Sequence, residues 1–349
     1  MKIPFKISSP DRAIEENLLE KINFKTKPIG ALGELEKIAL KIGLIQQSET
    51  PSLQKPHIVV FAGDHGIALE GVSAYPQEVT YQMVLNFLGD GAAINVFTRQ
   101  HNIDLTVVDA GVNHEFGEID DARFKGEKIG FGTESFLNNP AMTDKQCELA
   151  IKKGAEIVNE IHKEGTNIIG FGEMGISNTS SASLIMSSLL EIPVLECIGK
   201  GTGLDQQGLE HKIAVLSAAQ ANHSLGSDDP FKILKTFGGF EMAMMCGAFL
   251  KAAELKMTIM VDGFIASASF LCAYALTPEV LEYAIFCHMS NEKGHQKLLD
   301  ALDVNPVLNM NMRLGEGTGC ALAYPVIKSS LHFLNEMSSF KDAGVSTKD

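Results

Sequence analysis

A single acidic residue, Glu316, lies within a run of glycines in the segment MRLGEGTGCALAYPVI, which starts at Met312. A carboxylate that only meets solvent needs no such setting, whereas glycines let a flat ligand approach the backbone near a carboxylate. Partial burial would raise the pKa of this carboxylate towards neutrality and suit it to abstract a proton. The stretch alone leaves two interpretations open: a general base, or a Glu that starts the following helix.

A second chemical segment, GFGEMGISNTSSAS, covers residues 170 to 183 and contains Glu173 and Gly175. A glycine turn that leads into a helix N-terminus presents free N–H groups and the positive end of the helix dipole to an anion. The side chains that follow the turn either cap the helix or contact a phosphate. They are Ser177, Asn178, Thr179 and Ser180.

Two further segments suggest phosphate binding. In CIGKGTGLDQQGLEHK, a glycine cluster surrounds Lys200 and precedes Lys212, which indicates either a backbone anion nest with a lysine or a solvated loop. In FCHMSNEKGH, Ser290 is a candidate phosphate contact. His288 and His295 are seven residues apart and have no Cys or second acid at ligand spacing, so a metal site is disfavoured.

The segment GDHGIALEGVSAYPQEV contains Asp64 followed by His65. This pair could bind a metal or activate a nucleophile, but neighbouring residues at a strand end point to opposite sides, which disfavours a shared metal. Structural polar contacts within the loop are the alternative interpretation.

Five apolar runs place these polar groups at strand ends. The runs begin near Ile58, Ile103, Asn167, Met257 and Glu282, and they end at Asp64, Asp109, Glu173, Asp262 and His288. Helical segments separate them, including one predicted from Pro76 to Gln100 and others in residues 10–47, 144–165 and 238–256. This alternation predicts an α/β fold, a Rossmann-like and mostly parallel sheet flanked by helices, with ligands beyond the carboxyl ends of the strands.

The bulk composition limits the class of protein. The chain has 349 residues, 45% of them hydrophobic, with a formal charge of −14 and no basic block, so we expect no nucleic-acid partner. No run is long and apolar enough to predict a membrane span, and the first 22 residues contain no apolar signal segment. The six cysteines form no CxxC pair, and reduced buried thiols in a cytoplasmic protein are the expectation.

Eight segments, in chain order, resemble the nicotinate-nucleotide–dimethylbenzimidazole phosphoribosyltransferase family. They are FAGDHGI, GVSAYPQEVT, GFGEMGISNTSSAS, GKGTGLD, GGFEMAMMCGA, VDGFI, MSNEKGH and MRLGEGTGCALA. The resemblance covers roughly residues 10–338. It implies transfer of ribose 5-phosphate from nicotinate mononucleotide to a benzimidazole nitrogen, with no cofactor and no metal, by a homodimer.

The resemblance also implies domains and roles for individual residues. The large α/β domain would cover residues 51–330, the small helical domain residues 1–50 with part of 320–340, and residues 341–349 would be a frayed tail. Glu316 would be the catalytic base and Glu173 an assisting carboxylate. Phosphate and ribose would be bound by Gly175, Gly201, Lys212 and Ser290. The aromatic base would lie near Tyr75, Gln82, Met83 and Leu314.

Three alternatives remain open at this point. One is a metal-dependent hydrolase that uses Asp64, His65 and His288. Another is a sensor that binds the nucleotide without releasing nicotinate. The third is a related transferase that acts on a different acceptor, such as adenine or a phenol.

Overall fold

The computed structural model describes residues 5–199, 201 and 203–346. These residues form a six-stranded parallel sheet with the strand order β3-β2-β1-β4-β5-β6. The strands are β1 (His57–Gly63), β2 (Asp104–Gly111), β3 (Phe124–Gly126), β4 (Ile168–Met174), β5 (Thr258–Val261) and β6 (Ala284–Phe286). All five strands predicted from apolar runs are present, whereas the short edge strand β3 was not predicted. The order reverses between β1 and β4 as in Rossmann-like sheets, so the predicted fold class is confirmed.

Helices cover both faces of this sheet. They are α1 (Glu15–Asn23), α2 (Glu34–Gln46), α3 (Glu78–Leu88), α4 (Ala93–His101), α5 (Asp144–Lys163), α6 (Asn178–Leu190), α7 (Val194–Cys197), α8 (Gln206–His223), α9 (Pro230–Phe237), α10 (Phe240–Glu254), α11 (Phe264–Leu276), α12 (His295–Ala301), α13 (Thr318–Glu336) and α14 (Phe340–Ala343). Short 3₁₀ helices cover Gly66–Glu70 and Pro278–Tyr283. Within the described ranges, no helix is long and apolar enough to cross a membrane.

The prediction of one continuous helix from Pro76 to Gln100 is wrong. The structure has α3 and α4 instead, separated at Gly89, Asp90 and Gly91. Asp90 has a φ of +61°, a left-handed conformation that cannot continue an α-helix. The first helix begins at Glu78, two residues beyond Pro76, so proline stands before the helix rather than within it.

Side-chain alternation along the strands divides the core between the two sheet faces. Val59 and Phe61 of β1 belong to a large cluster that includes residues of α5, α6, α10 and α11. Ile58 and Val60 belong to a second cluster with residues of α3, α4 and α13. The strands are buried on both faces, which explains why each reads as a continuous apolar run.

The chain-terminal segments pack together. Leu18 and Ile22 of α1 share a small cluster with Leu334 of α13, whereas Ile38 and Ile42 of α2 join the cluster on the sheet. The helical layer is therefore continuous with the sheet core, and its separation as a domain stays a prediction. The predicted frayed tail includes the short helix α14, which Ser339 caps, and residues 347–349 lie outside the described residues.

Candidate active site

The carboxyl ends of the parallel strands bring the predicted polar groups to one edge of the sheet. Strand β1 leads to Asp64 and His65, β4 carries Glu173, and β5 leads to Asp262. Phe61 of β1 pairs with Glu173 of β4, so Glu173 lies at the point where the strand order reverses. Rossmann-like sheets bind their ligands in the crevice outside this point.

Glu316 lies in a turn directly before α13, and its side chain is only 6% exposed. Three successive residues, Gly315, Glu316 and Gly317, have φ values of +87°, +63° and +81°. The left-handed conformation is unfavourable for a glutamate by about 1–2 kcal/mol, so the surrounding packing must hold it there. Because α13 begins only at Thr318, Glu316 does not start the helix, and that alternative interpretation is wrong.

Asp262, at the end of β5, holds this turn in place. Its carboxylate accepts hydrogen bonds from the backbone N–H groups of Gly317 at 2.9 Å, Gly319 at 2.7 Å and Cys320 at 3.3 Å. These are the first free N–H groups of α13, so Asp262 satisfies the helix N-terminus from a neighbouring strand. His288 Nε2 lies 3.7 Å from the same carboxylate.

The glycines beside Glu316 are needed for packing within the protein. A Cβ atom on Gly315 would overlap Oε1 of Glu173, and a Cβ on Gly172 would overlap the backbone of Glu316 and Gly317. The turn therefore lies directly against β4 and brings Glu316 and Glu173 together. The expectation that these glycines serve to admit a flat ligand is replaced by this reason for Gly315.

Burial raises the pKa of both acids. Burial, with a smaller effect from the charge of Asp262, raises the pKa of Glu316 to about 7. Burial, reinforced by neighbouring acids that include Asp262, Glu241 and Glu316, raises the pKa of Glu173 well above its usual range. Two neighbouring carboxyls with different pKa values can divide the roles of base and neutral acid. Among the described residues, Oε2 of Glu316 is buried without a hydrogen-bond partner, whereas Glu173 accepts from Asn178.

The start of α6 has the properties of an anion site. Ser177 precedes the helix with a φ of +81°, and its side chain does not cap the helix. Within the described residues, the buried hydroxyls of Ser177 and Ser180 have no hydrogen-bond partner. Gly175 packs against the carbonyl of Gly63 and brings this helix start beside β1. The N–H groups of the first turn therefore have no cap from the Ser177 side chain, and they face the carboxyl edge of the sheet.

Lys212 and Gly201 lie together beside the same helix. Lys212 is only 1% exposed, and its ammonium donates to Thr179 Oγ1 at 2.9 Å. A Cβ on Gly201 would lie 3.4 Å from the Lys212 ammonium and 3.1 Å from Thr179 Oγ1. Burial lowers the pKa of Lys212 to about 8. Lys200, in the same glycine cluster, lies outside the described residues.

Ser290 follows β6 at the same edge and is buried. Its backbone N–H donates to Nδ1 of His295 at 2.8 Å, and the other ring nitrogen of His295 lies 3.0 Å from Ser267 Oγ. Burial lowers the pKa of His295 to about 3, so this histidine is neutral and supports the Ser290 loop. The next residue connects this loop to the segment before Glu316, because the Asn291 N–H donates to Met312 O at 2.8 Å.

The predicted base-binding residues lie on or beside α3 and the Glu316 turn. Tyr75, Gln82 and Leu314 are exposed, and Met83 packs against the second core cluster. Thr80 of α3 accepts from the Ile176 N–H at 3.1 Å, which fixes α3 beside the turn that follows Glu173. Binding of an aromatic base by these residues stays a prediction.

A buried polar cluster beneath the site was missed by sequence reasoning. Nε2 of His65 lies 2.5 Å from Glu241 Oε1, and its Nδ1 lies 3.0 Å from Ser181 Oγ. Both His65 and Glu241 are fully buried. The signal available in the sequence was Glu241 itself, an acid within the apolar helix segment GGFEMAMMCGAF. Because both ring nitrogens of His65 have partners in the protein, it fits a structural role rather than the metal-hydrolase alternative.

Comparison with known proteins agrees with this geometry. A family model described as a phosphoribosyltransferase matches residues 7–345. Nicotinate-nucleotide–dimethylbenzimidazole phosphoribosyltransferase from Dechloromonas aromatica is 52% identical over 350 residues, which cover 99% of each chain. The chain belongs to this family. A relative with the same name from Photobacterium profundum is 48% identical over 98% of this chain and 99% of its own.

Solved structures of the family have the same fold. The nicotinate-nucleotide–dimethylbenzimidazole phosphoribosyltransferase from Thermus thermophilus superposes with a TM-score of 0.91 at 35% identity, covering 97% of this chain and all of the other. Family membership makes the chain a pentosyltransferase. The residues that perform the transfer are not named by these comparisons, so their roles have to be argued from the site.

Proposed function

We propose that this enzyme transfers the ribose 5-phosphate of nicotinate mononucleotide to 5,6-dimethylbenzimidazole, in assembly of the cobalamin nucleotide loop. The products are nicotinate and α-ribazole 5′-phosphate. One observation carries the proposal beyond the family name. The buried Glu316 carboxylate has an oxygen without a partner among the described residues and a pKa of about 7, at the switch point of the sheet.

The chemistry requires one base. A benzimidazole nitrogen attacks C1 of the ribose, and the electron pair of the breaking C1–N bond returns to the nicotinate ring nitrogen. The leaving nitrogen is quaternary in the substrate, so it departs neutral and needs no proton. The attacking base, however, must lose the proton from its second nitrogen. Glu316 accepts this proton, a role worth about 10²–10⁴-fold in rate.

Glu173 has a supporting role in this proposal. Its raised pKa keeps it protonated near neutral pH, so that it adds no second negative charge beside Glu316. Asn178 donates to one of its oxygens, which fixes the carboxyl against Gly315. Glu173 thus positions the Glu316 turn and can donate a hydrogen bond to a substrate.

The phosphate and ribose would lie between the start of α6 and the Lys212 region. The uncapped N–H groups that follow Gly175, the buried ammonium of Lys212 and the backbone of Gly201 all favour an anion. Ser290 would complete this side of the site. These groups overcome the formal charge of −14 locally. Substrate alignment between the two halves would add a rate gain comparable to that of the base.

Product analysis tests the function. We expect nicotinate mononucleotide and 5,6-dimethylbenzimidazole to give equal amounts of nicotinate and a riboside phosphate, with the mass of α-ribazole 5′-phosphate. A panel with benzimidazole, adenine and phenol tests the alternative of another lower-ligand base. Nucleotide binding without release of nicotinate, whatever the acceptor, would instead support a sensor.

We also propose that the chain acts as a homodimer in the cytoplasm. Large apolar side chains remain exposed on the described surface, including Leu69, Leu85, Val96 and Phe131, and a second copy could cover them. All six cysteines are buried and free, as a reducing compartment would maintain them. Sedimentation equilibrium tests the first statement, since a monomer at micromolar concentration contradicts it. Fractionation of native cells tests the second.

A further inference from the structure

A cavity of about 410 Å³ lies beside the proposed phosphate site. Its lining includes the glycine cluster with Gly201, and the side chains of Glu292 and Arg313. Arg313 donates to the Gly201 carbonyl at 3.2 Å, and the buried ammonium of Lys212 approaches Gly201 from the other side. Two cations therefore flank the glycine loop, and a carboxylate lies between them.

Glu292 occupies the place where such a loop would bind an anion. Its Oε2 lies against Gly199, where a Cβ atom would overlap it. The Gly201 N–H donates to the same carboxylate, and the charges of Lys212 and Arg313 attract it. A backbone amide from a glycine-rich loop together with nearby cations is the set of groups that binds phosphate in proteins.

We propose that the Glu292 carboxylate is a resident anion of the phosphate pocket, and that it must leave Gly201 and Lys212 when the nucleotide phosphate binds there. The inference rests on the proposed assignment of Lys212 and Gly201 to that phosphate. A phosphate and a carboxylate repel each other at such short range, so both cannot keep the same partners. Glu292 then acts as a specificity-determining residue, because only a strongly anionic ligand recovers the interactions that its displacement breaks.

The electrostatics of the two residues agree with this arrangement. Burial raises the pKa of Glu292, while Lys212 and Arg313 act in the opposite direction. Burial lowers the pKa of Lys212 to about 8, and Glu292 partly offsets that effect. Each group therefore holds the other in its charged form, a balance that an incoming phosphate would take over.

Binding of inorganic phosphate to the full chain tests the proposal. Calorimetry at pH 7 would compare the wild type, Glu292→Gln and the control Asp300→Asn, which removes one exposed carboxylate from α12. We expect Glu292→Gln to lower the Kd of phosphate by roughly three- to tenfold, equivalent to about 0.6–1.4 kcal/mol, and Asp300→Asn to leave it unchanged. Glu292→Asp, with a shorter reach, should shift the Kd in the same direction and replaces Glu292→Gln if that variant does not fold.

The outcomes separate this inference from the proposed function. If wild-type enzyme releases no nicotinate in the presence of a benzimidazole, the function itself fails. If it does, unchanged or weaker phosphate binding by Glu292→Gln overturns only the resident-anion role. Weaker binding of nicotinate mononucleotide with unchanged binding of phosphate would also overturn it, because Glu292 would then hold the ribose.

Discussion

At the scale of single residues, Glu316 differs from a surface glutamate in three measurable ways. It is buried, it has a left-handed backbone conformation, and its pKa is raised to about 7. Each of these features costs stability, and none is required for the helix that follows. Unfavourable backbone conformations and shifted pKa values concentrate at functional sites, which supports a chemical role for this carboxylate.

Asp262 should tune Glu316 without touching the substrate. In Asp262→Asn the amide nitrogen cannot accept a hydrogen bond, so the turn loses acceptors for its N–H groups. We expect the free energy of unfolding to fall by about 1–3 kcal/mol. Because the charge of Asp262 raises the pKa of Glu316, its removal lowers that pKa. The acid limb of the kcat/KM profile should therefore move to lower pH.

Asp109→Asn is the matched control for this prediction. Asp109 is also buried at the carboxyl end of a strand and accepts a backbone N–H, that of Val112 at 2.8 Å. It lies on β2, on the far side of β1 from the strands that support Glu316. We expect its substitution to reduce stability but to leave the pH profile in place. Equal shifts of the profile in both variants would contradict a specific link between Asp262 and Glu316.

The residue types of the glycine-rich segments were enough to predict Glu316, Glu173 and Lys212 as candidates from the sequence alone. Their geometry could not be predicted, because it depends on contacts between distant segments. The interaction of Asp262 with residues 317–320 spans more than fifty positions, and so does that of Glu241 with His65. No local pattern reports such a pairing.

At the scale of elements, close packing of β4 against the Glu316 turn positions the two acids. Gly172 makes this possible, since a Cβ atom there would overlap the backbone of Glu316 and Gly317. We expect Gly172→Ala to lower the free energy of unfolding by about 1–3 kcal/mol through overpacking. It should also reduce kcat, because the turn that carries Glu316 must shift. Denaturant unfolding and steady-state kinetics measure the two effects.

Gly126→Ala is the control for that substitution. Gly126 is also in a strand, the edge strand β3, and a Cβ there would meet only Phe124 Cε1 at 3.7 Å. Both stability and kcat should stay close to those of the wild type. A Gly172→Ala variant with wild-type kcat would show that the contact between β4 and the turn does not position Glu316.

Element prediction was accurate where apolar runs were long and bounded by glycine or polar residues. It failed at β3, whose three residues, Phe124–Gly126, form too short a run to read as a strand. It also joined α3 to α4, because both helices share the apolar spacing that continues through Gly89 and Gly91. The left-handed Asp90 that separates them leaves no clear periodic signal.

At the scale of the whole molecule, the extent of burial predicts unreactive thiols. All six cysteines are buried, and burial raises the pKa of Cys147, Cys246 and Cys320 well above the usual value. A thiol that stays protonated and inaccessible reacts slowly. We expect a thiol-reactive dye to modify almost none of them in the native enzyme and all six in denaturant. Rapid modification of native protein would contradict the described core.

The α/β organisation of the whole chain could be predicted from alternating apolar runs and helical segments. The position of the terminal helices could not, because Ile38 and Ile42 of α2 join the sheet cluster while Ala39 and Leu44 face α1 and α13. One amphipathic helix with apolar residues on two faces does not reveal which partner each face meets. That choice is made only by the complete fold.

Transfer of ribose 5-phosphate by this enzyme depends most directly on Glu316 as the base. The decisive measurement is the single-turnover rate of Glu316→Gln and wild-type enzyme at pH 8, with nicotinate mononucleotide and 5,6-dimethylbenzimidazole. Above a pKa of about 7 the wild-type carboxylate is ionised, whereas glutamine cannot accept the proton. We predict a rate lower by about 10²–10⁴-fold in the variant, with the native fold retained. A variant rate close to that of the wild type would contradict the role of Glu316 as the base.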